Sequence, residues 1–207
     1  MNRSLAVVKV GGSLYDLPDL GPRLRAWLGQ QETPWSEVLL VPGGGPVVNV
    51  IRDFDRIHQL GEERAHWLAL DALRLNAAFL ATLLPLAGVI GHWEELHADS
   101  PDSRRTAMQA HILDPSTFAT WDGHAHPATS LPPCWAVTSD AIAARAAVVY
   151  DADHLILLKS VTIAQGIEWQ EAVQRGFVDT LFAEVLRQAS AKLQVRAVNL
   201  RTWRPPG

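Results

Sequence analysis

Lysine is nearly absent from this chain. Of its 18 basic residues only Lys9, Lys159 and Lys192 are lysine. Arginine therefore carries most of the positive charge, and each lysine needs its own explanation. An ammonium is a compact point charge, whereas a guanidinium is a planar fork. Cysteine is scarcer still. Cys134 stands alone, which excludes an intramolecular disulfide and a cysteine zinc cluster. No Lys/Arg-rich tract occurs and the formal net charge is −4, which argues against a nucleic-acid partner. No apolar run is long enough to span a bilayer. The first residues lack the charged-then-apolar pattern of a secretory signal, so the expectation is a cytoplasmic protein with no membrane partner. No G-x-x-x-x-G-K-[ST] stretch is present, which excludes a Walker phosphate loop. Nothing repeats internally.

The composition, 48% apolar and 19% charged over 207 residues, is that of a globular chain able to bury a large core. One domain over residues 1–207 is expected. Near-continuous apolar runs at Leu5–Val10, Val38–Pro42 and His154–Lys159 predict parallel strands covered on both faces. Helical patterns fall at Leu17–Gln31, Pro46–Leu60, Glu62–Leu84, Ser139–Val149 and Val178–Ala191, with a closing strand within Leu193–Leu200. The polar stretches Asp99–Thr106 and Asp122–Pro133 read as loops, the second running into Val137–Asp140 as part of a mouth. Strands alternating with helices predict an α/β sandwich, whose ligands bind beyond the carboxyl ends of strands.

Three motifs fall at such ends. In Leu5–Leu14, Lys9 sits inside an apolar strand and is followed by Gly11-Gly12-Ser13. A lysine in a strand interior is costly unless something negative meets it, and glycines free backbone N–H groups to face an anion. Gly43-Gly44-Gly45, between a strand and a helix, has the geometry of an anion site at a helix N-terminus. Lys159-Ser160 ends a third apolar run, which suggests a second phosphate lysine. Thr138-Ser139-Asp140 precedes an alanine-rich helix. It reads as a helix cap, as a carboxylate holding the two lysines, or as a ligand of Mg²⁺ through water. His58, Arg64 and His66 follow the triple-glycine helix and either meet an anionic substrate or lie on an exposed face. His124 and His126 are read as ordinary loop residues rather than metal ligands. The eight tryptophans read as packing, with Trp135 bordering the Asp140 motif.

The ordered set V-V-K-V-G-G-S, V-P-G-G-G-P, T-S-D-A-I-A-A and L-I-L-L-K-S resembles the amino acid kinase family, from Leu5 to about Ser160. The resemblance implies a three-layer αβα sandwich around an open, mainly parallel sheet. It implies transfer of the γ-phosphoryl of ATP to a carboxylate or a phosphate with Mg²⁺, in a homo-oligomer. Carried over by position, Lys9 stabilises the transferring group, Asp140 orients the lysines and Lys159 is the second catalytic lysine. Gly11, Gly12, Ser13, Thr138, Ser139 and Ser160 fall to the phosphate and nucleotide side. Gly43, Gly44, Gly45, Arg64 and His66 fall to the acceptor side.

A narrower likeness is carried by R-D-F-D-R at Arg52–Arg56, A-H-W-L-A-L at Ala65–Leu70, W-A-V-T-S-D-A-I-A-A at Trp135–Ala144 and V-N-L-R at Val198–Arg201. These resemble the branch of the family that acts in methanofuran biosynthesis, and its bacterial relatives. That branch implies a phosphate monoester acceptor, an aminomethylfuran methyl phosphate of methanofuran or methylofuran biosynthesis. The rival expectations are a carboxylate or nucleoside monophosphate kinase, and a non-catalytic nucleotide or anion binder. Two stretches common in the family, G-G-M-x-x-K and T-D-V-x-G-V, are missing. The run after Lys159 is Ser160-Val161-Thr162-Ile163-Ala164-Gln165-Gly166, so a standard ATP seat is not written there.

Overall fold

In the computed structural model, which describes residues 4–30, 35–85, 87–92 and 108–205, six parallel strands form one open sheet in the order β3-β4-β2-β1-β5-β6. The strands are β1 (Leu5–Val10), β2 (Glu37–Pro42), β3 (Gly88–Ile90), β4 (Gln109–Leu113), β5 (His154–Lys159) and β6 (Gln194–Asn199). Every residue of β1 is buried, because β2 and β5 flank it and helices cover both faces. That is why its sequence is a continuous apolar run rather than an alternating one.

The helices are α1 (Leu20–Gly29), α2 (Gly45–His58), α3 (Glu62–Leu83), α4 (Pro115–Ala125), α5 (Ser139–Val149), α6 (Trp169–Gln174) and α7 (Phe182–Leu186). Alternate strand residues feed two cores. Val7, Leu39, Leu155 and Leu157 pack with Phe118 of α4, Ile142 and Ala146 of α5, and Phe182 of α7. Val8, Leu40, Ile156 and Leu158 pack with Leu24 and Trp27 of α1 and with Leu80 of α3. The result is the three-layer sandwich the sequence led us to expect.

The connections run from β1 to β2 on one side and from β5 to β6 on the other. The switch point lies between β1 and β5, where ligands of open α/β sheets bind. Lys9 and Lys159 stand on these two strands. Their registers, Val7 opposite Leu155 and Lys9 opposite Leu157, put both lysines on the face covered by α5.

Four expectations are corrected. Strands β3 and β4 are additional: three residues are too few to show a period, and β4 opens on Gln109-Ala110-His111, half-buried and without an apolar run. The loop expected at Asp122–Pro133 begins only after Ala125. Helix α4 is started by Asp114, whose Oδ1 accepts from the backbone N–H of Ser116 at 3.0 Å and Thr117 at 3.3 Å, with Pro115 in its tolerated first position. The helix expected over Val178–Ala191 is only the five residues of α7, because Asp179 turns back to cap its start. Helix α6 has no counterpart among the helices expected from the sequence. The polar stretch Asp99–Thr106 lies outside the described residues.

Candidate active site

The centre of the site is one carboxylate between two ammonium groups. Asp140, in the first turn of α5, places Oδ1 2.9 Å from Lys9 Nζ and Oδ2 2.6 Å from Lys159 Nζ. Lys159 Nζ also donates to the Phe177 carbonyl at 2.8 Å. Lys9 and Asp140 are each only 5% exposed, so neither charge is left to water. Burial pushes the Asp140 carboxyl upward, but the two ammonium groups outweigh it and hold it below the ordinary carboxylate range. Lys159 is pushed down to about 8, first by burial and then by repulsion from Lys9, with Asp140 opposing.

That value has two consequences of opposite sign. Between about pH 8 and the ordinary lysine range, the folded chain has released a proton that the unfolded chain keeps, so this group makes stability rise with pH there. A site that needs the ammonium loses it over the same interval. For catalysis, kcat/KM is expected to fall about tenfold per pH unit above about pH 8. A Lys159→Arg variant, slower but always charged, is expected to lack that limb. A wild-type profile flat to pH 10 would contradict the assignment.

Backbone donors converge on the same place. The turn after β1 carries Gly11 and Gly12 into a single 3-10 turn, Gly12–Leu14. The triple glycine opens α2, and Thr138 opens α5, its Oγ1 accepting from Asp140 N–H at 3.3 Å. Helix N-termini favour anions.

The glycines are required by close approach. A Cβ on Gly12 would stand 2.1 Å from the Gly45 nitrogen, and one on Gly43 would stand 2.2 Å from the Gly12 nitrogen. Gly45 also has φ of +54°, which favours glycine. The two loops therefore touch backbone to backbone. Asn76, buried in α3, locks them by donating from Nδ2 to the carbonyls of Gly43 at 2.8 Å and Gly44 at 2.7 Å. Tyr15 Oη adds a bond to Gly43 O at 3.0 Å.

Lys9, Lys159, Gly11, Gly12, Ser13, Gly44, Gly45, Thr138, Ser139 and His66 all line one cavity of about 300 Å³. Gly43 lies behind that wall, and its role here is loop packing. Ser160 does not line it, but its hydroxyl lies 2.8 Å from that of Ser13 at the rim. His66 is buried. Its Nδ1 lies 3.1 Å from the Cys134 carbonyl, and a proton there makes the hydrogen bond. Burial lowers its pKa against that bond, which favours the neutral ring. Arg64 is exposed at the start of α3 and is not among the residues that line the cavity.

An adjoining hollow of about 320 Å³ shares His66, Leu70, Val137 and Ile142 with it and is otherwise lined by Trp67, Phe118, Ala119, Leu131 and Pro133 together with Thr120, Asp122, Gly123, His124 and Ser130. His126 Nδ1 pairs with Asp122 at 2.9 Å, and His124 Nδ1 lies 2.7 Å from the Thr120 carbonyl.

Three residues of the site escape a reading of the sequence. Asp179 is the main one. Its Oδ2 accepts from Thr138 Oγ1 at 2.6 Å and from the N–H groups of Thr138 and Ala141, while Oδ1 accepts from Leu181 and Phe182 N–H. One carboxylate thus caps α5 and α7 together and sets the pose of Asp140. Burial raises its pKa, with the nearby Asp140 charge adding and the hydrogen bonds opposing. Asn76 and Arg52, the latter also on the cavity wall, are the other two. A polar residue inside an apolar helix was the available signal for Asn76.

Comparison with known proteins places the chain among kinases. Residues 4–162 match the family described as the amino acid kinase family. The [5-(aminomethyl)furan-3-yl]methyl phosphate kinase of Methanocaldococcus jannaschii is 24% identical over 155 residues, 75% of this chain and 65% of that protein. This chain's match thus spans about 65% of that curated relative's length. Among solved structures, uridylate kinase from Archaeoglobus fulgidus superimposes with a TM-score of 0.62 at 20% identity, covering 93% of this chain and 89% of that one. UMP kinase from Ureaplasma parvum gives 0.62 at 13% identity, covering 99% and 92%. At those identities the structural likeness speaks for the fold alone.

Proposed function

The chain belongs to the amino acid kinase family, and from that premise we propose that it is an ATP-dependent kinase of a phosphate monoester. The acceptor we favour is an aminomethylfuran methyl phosphate, the substrate class in the name of the methanocaldococcal relative, which would place the chain in methanofuran or methylofuran biosynthesis. The observation that carries the reading is the Lys9–Asp140–Lys159 triad facing two glycine loops. Phosphoryl transfer asks a protein for positioning and charge stabilisation rather than a covalent nucleophile, and the triad supplies both. Lys9 and Lys159 present ammonium groups to the transferring oxygens, while Asp140 fixes their spacing. The backbone N–H groups at the start of α2 add fixed partial charges, whereas at the start of α5 those of Thr138, Asp140 and Ala141 are already taken by Asp179 and the Thr138 hydroxyl.

ATP is the phosphoryl donor in this reading. Its phosphates fall to Gly11, Gly12, Ser13, Thr138, Ser139, Lys159 and Ser160. The residues present do not build a protein seat for Mg²⁺. Both Asp140 oxygens are taken by ammonium groups, and the described residues hold no cluster of three His, Cys, Asp or Glu side chains. The metal would be held by phosphate oxygens and water.

The adjoining hollow favours a phosphate acceptor with a small ring over an acyl acceptor. Its lining has no lysine or arginine to meet a second carboxylate. His66, Leu70, Val137 and Ile142 border both spaces, and Gly44 and Gly45 line the cavity that holds the lysines.

Two wider features go with the reading. Val50, Phe54 and Ile57 on α2 and Leu68, Leu75 and Phe79 on α3 are exposed on helices that pack together. An apolar surface of that kind marks an interaction site and suits a homo-oligomer, which a light-scattering mass checks. Among the described residues no helix is long and apolar enough to cross a membrane, and a cytoplasmic setting with ATP at hand is the one proposed.

The test is ADP release by the purified chain with Mg²⁺-ATP and a panel holding [5-(aminomethyl)furan-3-yl]methyl phosphate, UMP and an N-acylated amino acid. Turnover of the furan phosphate in preference to the other two is expected. Preference for UMP would move the assignment to a nucleoside monophosphate kinase. ATP binding by calorimetry without ADP release on any acceptor would make the chain a nucleotide binder.

A further inference from the structure

Arg52 is the one arginine among the residues that line the cavity. It lies on α2, two turns in from the triple glycine. Its guanidinium carbon is 5.4 Å from the centre of the Trp135 ring, and Nη1 donates to Asn49 Oδ1 at 2.8 Å. Trp135 is held from two directions. Its Nε1–H donates to Asp55 Oδ2 at 2.8 Å, and its backbone N–H to Glu62 Oε2 at 3.4 Å.

Five other arginines face carboxylates, while Arg25 and Arg204 donate to backbone carbonyls outside the cavity. Arg23, Arg56, Arg145, Arg175 and Arg201 each pair with an aspartate or glutamate. Arg52 has no carboxylate within ion-pair distance among the described residues. An aromatic face attracts a cation without cancelling its charge. The stack therefore directs the guanidinium while leaving its charge and most of its donors available.

Charge and position identify the occupant. Lys9, Lys159 and Asp140 sum to a single positive charge, yet the proposed reaction brings two phosphate-bearing molecules into one cavity. A phosphate monoester carries about −1.5 to −2 at neutral pH, and a guanidinium fork matches its oxygens in pairs. Arg52 follows β2, whereas Lys159 ends β5 and Ser160 follows it, and β1 separates the two strands. The cavity wall that Arg52 shares also opens onto the apolar hollow through His66, Val137 and Ile142.

We propose that Arg52, laid on the face of Trp135, binds the phosphate of the acceptor, and that Asp55 positions Trp135 for this task. The assignment rests on the reading of the chain as a kinase of a phosphate monoester. It adds to that reading a ligand for the acceptor on the β2 side of the sheet.

Calorimetric titration of the whole chain tests it, with [5-(aminomethyl)furan-3-yl]methyl phosphate and benzyl phosphate as probes and a non-hydrolysable ATP analogue with Mg²⁺ as control. Arg52→Gln is expected to weaken both phosphate monoesters about tenfold or more, with the ATP analogue unchanged within about twofold. Trp135→Leu is expected to do the same, and Trp135→Phe, which keeps the ring face, to retain affinity. The salt dependence of monoester binding is expected to become shallower in Arg52→Gln. Equal binding by Arg52→Gln and the wild type would overturn the assignment while leaving the kinase reading in place. Equal losses for monoesters and the ATP analogue would overturn it as well. Failure of the wild type to bind either monoester would remove the phosphate-monoester reading, and the assignment with it.

Discussion

Lys9→Ala is expected to lower the rate of ADP release about 10²–10³-fold, the loss that follows when one preorganised partner of a developing charge is removed. The fold is expected to survive, because Asp140 keeps Lys159 at 2.6 Å and is not left as an unpaired buried charge. A urea unfolding midpoint near that of the wild type, beside the collapsed rate, separates chemistry from folding. The same variant makes a second prediction. Repulsion from Lys9 is one cause of the low Lys159 value of about 8, so the alkaline limb of the residual activity is expected to move to higher pH. Lys9→Arg is not expected to restore the rate, because a planar fork does not fit a seat shaped for a point charge and only 5% exposed. A Lys9→Ala enzyme within about threefold of wild type would remove Lys9 from the chemistry, since electrostatic partners of this kind matter far more than that.

Arg145→Ala is expected to be the most destabilising single change in the region around the site, at about 3–5 kcal/mol, the cost of leaving a buried charge without its partner. Arg145 Nε and Nη2 each lie 2.8 Å from an oxygen of Asp122, and both residues are buried. Arg145 Nη2 also reaches Thr129 Oγ1 at 3.1 Å. The pair therefore ties α4, α5 and the chain after His126 together, and that chain supplies Ser130, Leu131 and Pro133 to the wall of the apolar hollow. Removing the guanidinium leaves Asp122 with His126. The urea midpoint is the readout. A double change, Asp122→Leu with Arg145→Met, is expected to recover most of the loss, because a buried ion pair is often replaceable by packed apolar groups. An Arg145→Ala protein as stable as wild type would show that the pair contributes little.

The parts of the fold that were legible are those whose residues announce a local constraint. Strands β1, β2 and β5 are continuous apolar runs because both of their faces are covered; β1 and β2 are followed directly by glycines, and β5 ends in a lysine. Strands β3 and β4 were not legible, being too short or too polar to carry a period, and their register comes from neighbours already in place. Helix α4 shows the limit from the other side. Its Asp114-Pro115 start is a good local signal, but the polar composition further on reads as loop, since nothing in Asp122 says that Arg145 will meet it.

The site divides in the same way. Lys9, Lys159 and the two glycine runs stand out in the sequence, because a charge or a chain of glycines inside an apolar context needs a physical reason. Asp140 is visible only as one of several polar residues, since a helix cap and a bridging carboxylate look alike along the chain. Asp179, Asn76 and Arg52 carry no distinguishing local signal of comparable strength. Asp179 acts 41 residues from Thr138, Asn76 acts 33 from Gly43, and Arg52 is defined by a tryptophan on another element.

The sequence by itself determined that the protein has a buried lysine at a strand end, glycine loops able to face an anion, and an α/β order that brings such ends to one edge of a sheet. It did so because burial, backbone freedom and side-chain period are properties of neighbouring residues. The tertiary structure alone decided that the two lysines share one carboxylate, that Gly12 and Gly43 are glycine because two loops touch, and that Arg52 rather than Arg64 lines the cavity. Those outcomes depend on distances between residues far apart in the chain, and only the packed sheet sets them.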